Sequence, residues 1–376
     1  MEKTNRKIGK QSIELTNAVY IKQSASIVGK KESEGPLGNL FDINGDNDLF
    51  GCDTWEEAES TLQKEAVTLA LGKASMTESD ISYILAGDLL GQCTASTFGS
   101  VGREIPFIGM YGACSTCGLG LGLAAILVSA GYAQNVISVT SSHFASAEKE
   151  FRYPLDYGSQ RPPCSTWTVT GSGAYLLSRE KHENRAQTPK DSGKNNPGDC
   201  AMESIASDLP RKCVIERKYE VAITAVTTGK IIDYGIKDSM NMGACMAPAA
   251  CDTIYRHLKD FEREPEYYDK IITGDLGTVG QTVLLDLLKQ KGFDISERHM
   301  DCGIEIFNSE EQGTNAGGSG CGCAASVLAA YLLPRLASGE WKRILFLPTG
   351  ALLSKVSFNE GKSIPGIAHA VVIERL

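Results

Sequence analysis

The sequence predicts an α/β protein of five layers, α-β-α-β-α, built from two duplicated halves, and two observations carry that expectation. The same order of signals, a buried strand, a small-residue turn, an apolar helix and another strand, occurs twice along the 376 residues. The helix in each set is apolar nearly all round, which suits a helix held between two sheets with no solvated face.

In the first half, the apolar run Ile84-Leu85-Ala86 ends in Gly87-Asp88, as a buried strand does before a functional loop; in the second, Ile271-Ile272-Thr273 ends in Gly274-Asp275. The turn Gly112-Ala113-Cys114-Ser115-Thr116-Cys117 opens the first long apolar helix, and Gly318-Ser319-Gly320-Cys321-Gly322-Cys323 opens its counterpart. After each helix come a glycine-containing turn and a buried strand, at 136–141 and 343–347. Residues 170–178 read as the strand that closes the first half, and 220–226 as the one that opens the second. Strands alternating with helices imply mostly parallel sheets covered by helices. Between the halves, residues 182–199 are rich in Asn, Lys, Pro and Gly and make poor core material. The expected organisation is therefore an N-terminal half at 1–184, a polar insertion at 185–218 and a C-terminal half at 219–376.

With 42% hydrophobic and 22% charged residues, the chain has the make-up of an ordinary globular protein and length enough for this duplicated unit. Its formal net charge of -9 gives no chain-wide basic field to neutralise phosphates, so nucleic acid is not an expected partner. The charged start, Met1 to Lys7, runs into Gly9-Lys10-Gln11-Ser12 without an apolar segment, and no export signal is expected. The longest apolar stretch, 119–139, is interrupted by Gly120, Gly122, Ser129, Gly131, Gln134 and Asn135, and reads as helix, turn and strand rather than a membrane span. The 12 cysteines are too dispersed for a small disulfide scaffold and read as reduced thiols, most of them small core residues.

Cys114 stands apart because it opens a buried helix, where unpaired N–H groups and the positive end of the helix dipole favour a thiolate. That position suits a nucleophile, and the same N–H groups would bind a ligand carboxylate without a covalent step. The plainer reading is a cysteine small enough for a crowded turn. The hydroxyls of Ser115 and Thr116 and the steric freedom of Gly112 favour a prepared site. Cys114 and Cys117, with Cys321 and Cys323, also have the spacing of a redox pair or a four-thiolate zinc site. Close packing already accounts for small residues at the second helix start, and no metal is expected there.

A nucleophilic cysteine needs a base or an electrostatic partner, and there are five histidines to choose from. His182 falls in the polar insertion, His257 and His299 lie among charged residues and are expected to be exposed, and His369 precedes a final strand, balanced between core and site. His143 follows a buried strand through Ser141-Ser142, at the strand's functional end, which makes it the expected polar partner of Cys114. The charged and aromatic run from Glu148 to Pro154, containing Phe151, Arg152 and Tyr153, is expected to cover that end.

Gly112-Ala113-Cys114-Ser115-Thr116, Ser141-Ser142-His143 and Phe151-Arg152-Tyr153-Pro154 in the first half, with Thr273-Gly274-Asp275-Leu276, Gly318-Ser319-Gly320-Cys321 and Thr349-Gly350-Ala351 in the second, give the chain a resemblance over nearly its whole length. It resembles the thiolase and ketoacyl-synthase superfamily, and more closely the stage V sporulation protein AD branch of it. The resemblance implies a thiolase-like fold, a homodimer, and the nucleophile's position for Cys114. Ketoacyl synthase III-like enzymes pair that cysteine with a histidine and an asparagine from two further loops. The matching loops here read Gly274-Asp275-Leu276-Gly277 and Gly320-Cys321-Gly322-Cys323, without either residue. Claisen condensation then lacks its usual agents for proton transfer and oxyanion stabilisation.

The resemblance accordingly implies a non-enzymatic binding protein rather than a catalyst, with dipicolinic acid as ligand, largely as its calcium chelate. It implies partnership with membrane-embedded SpoVA proteins and a peripheral place at the forespore inner membrane. The residues expected at the ligand are Cys114, His143, Arg152 and Tyr153, with Asp88, Asp275 and Cys321 alongside; the two carboxylates at equivalent strand ends orient donors or touch calcium. The alternative is a Cys114-dependent acyltransferase of ketoacyl-synthase III type with an unusual partner, and a scaffold with a filled pocket is a third reading.

Overall fold

The first half contributes five strands: β1 (Ser12–Val28), β2 (Tyr83–Gly87), β3 (Phe107–Gly109), β4 (Asn135–Ser142) and β5 (Gly171–Ser178), side by side in the order β1-β5-β4-β2-β3. The second half repeats the set: β6 (Val221–Thr227), β7 (Lys270–Thr273), β8 (His299–Asp301), β9 (Arg343–Leu347) and β10 (Ala370–Arg375), in the order β6-β10-β9-β7-β8. Strand directions repeat as well. In each half the first two neighbouring pairs are antiparallel and the last two parallel. This computed structural model describes residues 6–151, 161–181 and 218–376. The changeover between halves thus falls between Ser178 and Val221, and the expected insertion lies almost wholly outside the described residues.

Side-chain alternation along the strands sorts the core into layers, because successive residues of a strand face opposite sides. In the first half, Ile84 and Ala86 join the cluster under helix α1 (Trp55–Ala74), while Leu85 between them faces the centre. In the second, Leu345 and Leu347 pack towards the outer helices, and Ile344 and Phe346 point inward. The central layer is helix α2 (Thr116–Ser129), and the outer layer of the second half is α4 (Met242–Asp260) with α5 (Gly277–Gln290), α3 being the short helix Phe144–Phe151. The second central helix, α6 (Cys321–Val327), continues through a wider turn to Ser338. The run Cys321–Ser338 is apolar and long enough to cross a membrane by length and composition, but most of it is buried between the sheets.

The two sheets are also joined edge to edge. At 17 residues, β1 is long enough to serve both: Tyr20–Val28 pairs with β5, and Ser12–Glu14 and Val19–Tyr20 pair antiparallel with β6 across a bulge. No local signal in this stretch says which edges it joins.

Glycines set how closely the central helices approach the sheets. A Cβ at Gly120 would stand 2.4 Å from Ser138 Oγ on β4, and one at Gly118 2.5 Å from the His369 carbonyl of the other half. On α6, a Cβ at Gly322 would lie 2.3 Å from the Gly171 carbonyl and 2.7 Å from Ser142 Oγ. Beside it, the Tyr175 hydroxyl of β5 donates to the Ala325 carbonyl of α6. Gly322→Val should therefore force backbone apart and cost about 1–3 kcal/mol or more, read as a lower urea midpoint; an unchanged midpoint would show that this contact does not limit the packing.

Two carboxyls are buried by the same packing. Glu32 accepts from the Thr170 N–H at 3.0 Å, and burial pushes it up to about 8; Glu59, held by Ser141 and Ser146, is pushed up by burial and by the Asp88 carboxyl. Carboxyls whose folded pKa is raised contribute stability that is present at low pH and lost as pH rises through the folded value. The melting temperature should thus fall between about pH 4.5 and pH 8, and Glu32→Gln with Glu59→Gln should flatten that fall; an equally steep decline in the double variant would exclude this origin.

Candidate functional site

Cys114 is delivered by a strained turn. Ala113 just before it adopts a left-handed backbone with φ of 48°, a conformation costing a residue with a Cβ about 1–2 kcal/mol. Three side-chain bonds hold the turn: Ser115 Oγ donates to the Gly112 carbonyl at 2.6 Å, Thr116 Oγ1 donates to the Ala113 carbonyl at 2.6 Å, and Gly112 N–H donates to Thr116 Oγ1 at 3.0 Å. The hydroxyls read as marks of a prepared site are thus committed to shaping it. Cys114 is left buried on the wall of a cleft in front of α2.

The cleft draws on both halves. Leu89, Ala113, Ala147, Phe151, Met242, Ala351 and Leu353 make it mostly apolar, and Tyr111, Cys114, Thr168, Ser319 and Gly320 supply its polar atoms. It is a narrow cleft, about 390 Å³ of empty space once its solvent-open mouth is included. Among the described residues the lining contains no charged side chain and no histidine.

Asp275 meets Cys114 from behind this wall. It follows β7 and is fully buried; Oδ1 accepts from Thr349 Oγ1 at 2.7 Å, Oδ2 accepts from Gly320 N–H at 3.0 Å, and the Cys114 thiol is a further hydrogen-bonding partner of the carboxyl. Burial, opposed by those donors, pushes Asp275 up to about 7. Its loop is set by Asp301 at the end of β8, which accepts from Leu276 N–H at 2.9 Å, Gly277 N–H at 3.1 Å and Thr273 Oγ1 at 2.6 Å. Asp301 was not anticipated. Nothing local in Met300-Asp301-Cys302 points to it, and only the parallel pairing of β7 with β8 brings it under the loop.

The other expected site residues are placed differently. His143 is not brought to Cys114: it is buried, its Nδ1 accepts from Ala145 N–H at 3.1 Å, and its Nε2 then carries the proton donated to the Asp48 carbonyl at 2.6 Å. Burial lowers its pKa and favours this neutral form. Asp88 is likewise spent on local structure, accepting from Leu90 N–H at 2.8 Å, Ser96 N–H at 2.8 Å and Ser96 Oγ at 2.6 Å. Both strand-end carboxyls are thus enclosed by protein donors, and no cluster of three or more metal-ligating side chains occurs among the described residues. Cys321 packs with Leu89, Cys114 and Ala147, and its thiol donates to the Ser141 carbonyl at 2.8 Å; burial pushes that thiol well above its usual range. Arg152 and Tyr153 lie outside the described residues.

His257 and His299 are buried, not exposed as expected. His257 lies on α4 between Thr227 and Tyr268, and His299 on β8 bonds Thr273 and Gln281, with buried Asp301 two residues on bonding the same Thr273. His369 is buried too, its Nδ1 accepting from Gly229 N–H at 3.3 Å. Among the described cysteines none is disulfide-bonded.

Solved structures share this architecture. A 3-oxoacyl-[acyl-carrier-protein] synthase III from Aquifex aeolicus superposes with a TM-score of 0.50 at 13% identity, covering 95% of this chain and 99% of that one. The cerulenin-bound OleA of Xanthomonas campestris superposes with a TM-score of 0.50 at 15% identity, covering 94% of this chain and 96% of that one. At such identities the likeness establishes the thiolase-like fold alone. In sequence, the Stage V sporulation protein AD of Bacillus subtilis (strain 168) is 40% identical over 367 residues, 98% of this chain and 97% of that protein. The sequence profile of the family described as Stage V sporulation protein AD matches residues 9–374, and the chain belongs to that family of sporulation proteins.

Proposed function

We propose that this chain is a non-enzymatic dipicolinic acid-binding component of the SpoVA uptake machinery of the developing spore, peripheral to the inner membrane, and that it takes the acid largely as calcium dipicolinate. The observation that carries this reading is the Cys114 cleft, a small apolar chamber with a few polar atoms, backed by the buried carboxyl of Asp275. A flat aromatic diacid suits walls made by Phe151 and Tyr111. The calcium chelate of a dicarboxylate is neutral overall, so it enters an uncharged lining at lower desolvation cost than the free dianion. Calcium belongs to the ligand in this reading. Arg152, next in sequence to the cleft residue Phe151, is the proposed cationic donor.

Acyl transfer is the second reading, favoured by the contact between Cys114 and Asp275 at a helix start. The absence of histidine from the described lining weighs against it, although a carboxyl held near 7 is itself matched to general-base work at neutral pH.

The edge of the first sheet supports a homodimer. All three residues of β3 are exposed, and β2 is its strand partner among the described residues. Phe98, Val101 and Tyr111 nearby are exposed as well. Unpaired apolar edges of this kind are covered in stable proteins, and continuation of the sheet into a second copy would cover this one.

Titration calorimetry should give saturable heat with calcium dipicolinate, and Cys114→Leu, which fills the cleft, should weaken binding at least about tenfold. A flat trace from folded wild type would sink the proposal, and an acyl adduct on Cys114 in intact-mass spectra after incubation with acyl-CoA would replace it with the transferase. For the assembly, Ile108→Asp should convert a dimer to a monomer in analytical ultracentrifugation; a dimer unaffected by this change would place the interface elsewhere.

A further inference from the structure

We propose that Asp275 couples ligand charge to proton uptake: the free dipicolinate dianion enters the cleft as Asp275 takes one proton from solvent, whereas the neutral calcium chelate enters without one. This rests on the proposed function and adds a regulatory property to the same site.

The geometry places the carboxyl one bond behind the ligand. Two of its three donors, the Cys114 thiol and the Gly320 N–H, belong to residues that line the cleft, and the third, Thr349 Oγ1, comes from the strand Thr349–Ala351. A carboxylate on the ligand would therefore lie close to the Asp275 carboxyl, across the Cys114 thiol and the Gly320 backbone. No lysine, arginine or histidine of the described lining stands between them, and Asp275 takes up the charge that the proposed Arg152 donor leaves uncompensated. The groups facing Asp275 from the packed elements do not relieve it either. Asp301 at the end of β8 is a second acid, Cys321 and Cys323 at the start of α6 and Cys302 beside β8 are thiols that burial keeps protonated, and Cys114 is the remaining partner.

Like charges in a low-dielectric site disfavour double ionisation, so the second negative charge is met by protonating the first. The partners tolerate that change. A thiol and a hydroxyl each donate or accept, so Cys114 and Thr349 can reverse roles and receive the new O–H, while the Gly320 N–H continues to donate to the other oxygen. Burial already holds Asp275 near 7, where a modest push completes protonation.

By linkage, a group whose pKa rises on binding makes affinity increase as pH falls. Dipicolinate affinity measured in chelator, without calcium, should strengthen about tenfold from pH 9 to pH 6 for a bound-state rise of about one unit, while the ligand stays doubly ionised. Calorimetry at pH 7.5 in buffers of different ionisation enthalpy should report net uptake of a substantial fraction of a proton for free dipicolinate and none for the calcium chelate. Asp275→Asn, checked for folding by its thermal melt, should flatten the pH profile, and the buffer experiment on wild type stands if that variant does not fold. Binding of free dipicolinate with no buffer dependence overturns the coupling but leaves the binding function intact. No binding of either form at any pH overturns both.

Discussion

Contact between central helices and sheets without intervening side chains is the constraint on which the rest of this structure depends. Gly118 brings α2 onto the backbone of the second half, Gly120 brings it against the Ser138 side chain of β4, and Gly322 lays α6 on β4 and β5 of the half to which it does not belong. Each half supplies a helix to the centre and a sheet to one side, so neither half completes its inner layer alone. An interior packed at crystal-like density transmits small displacements instead of absorbing them. A shift of α6 away from β5 would move Gly320 and Cys321 at its start.

The site inherits this dependence. Cys114 begins the central helix of the first half, and Gly320 precedes that of the second; Asp275 joins them through bonds to both. The strained turn at Ala113 is tolerated because Ser115 and Thr116 close it with side-chain bonds and because Gly350 packs against Gly112 from the other half. The cleft is thus a product of the duplicated fold's two pseudo-equivalent helix starts, with the carboxyl of one half facing the thiol of the other. Equivalent strand ends have meanwhile diverged: Asp88 is absorbed into capping Leu90 and Ser96, while Asp275 remains in contact with the cleft wall. Topological equivalence alone does not preserve function.

Much of the fold was legible because it is written in local periodicity. Apolar runs ending in Gly-Asp, small-residue turns before all-apolar helices, and their repetition led to the central strands of each set and the two central helices, but not to β1, β3 or β8. Cys114 was legible for the same reason, since helix starts are set by nearby residues. The partners were harder. His143 has the expected position after β4, yet its ring is consumed by Asp48 and Ala145, the first of them far away in the chain. Asp301 carries no local signal at all, and the buried histidines His257 and His299 each have a charged residue, Arg256 and Arg298, just before them in sequence.

By itself the sequence determined the duplicated α/β architecture, the helix-start cysteine and the membership of a sporulation family, because each is encoded in short-range pattern or in residues matched along nearly the full chain. Tertiary structure alone decided that β1 joins the two sheets, that Asp275 rather than His143 meets Cys114, and that the described cleft lining is uncharged. Those outcomes depend on which distant strands pair and which side chains find partners first. The pairing of β1 with β6 and the meeting of Asp275 with Cys114 each span much of the chain, are fixed by the packing of the whole core, and no local stretch contains that information.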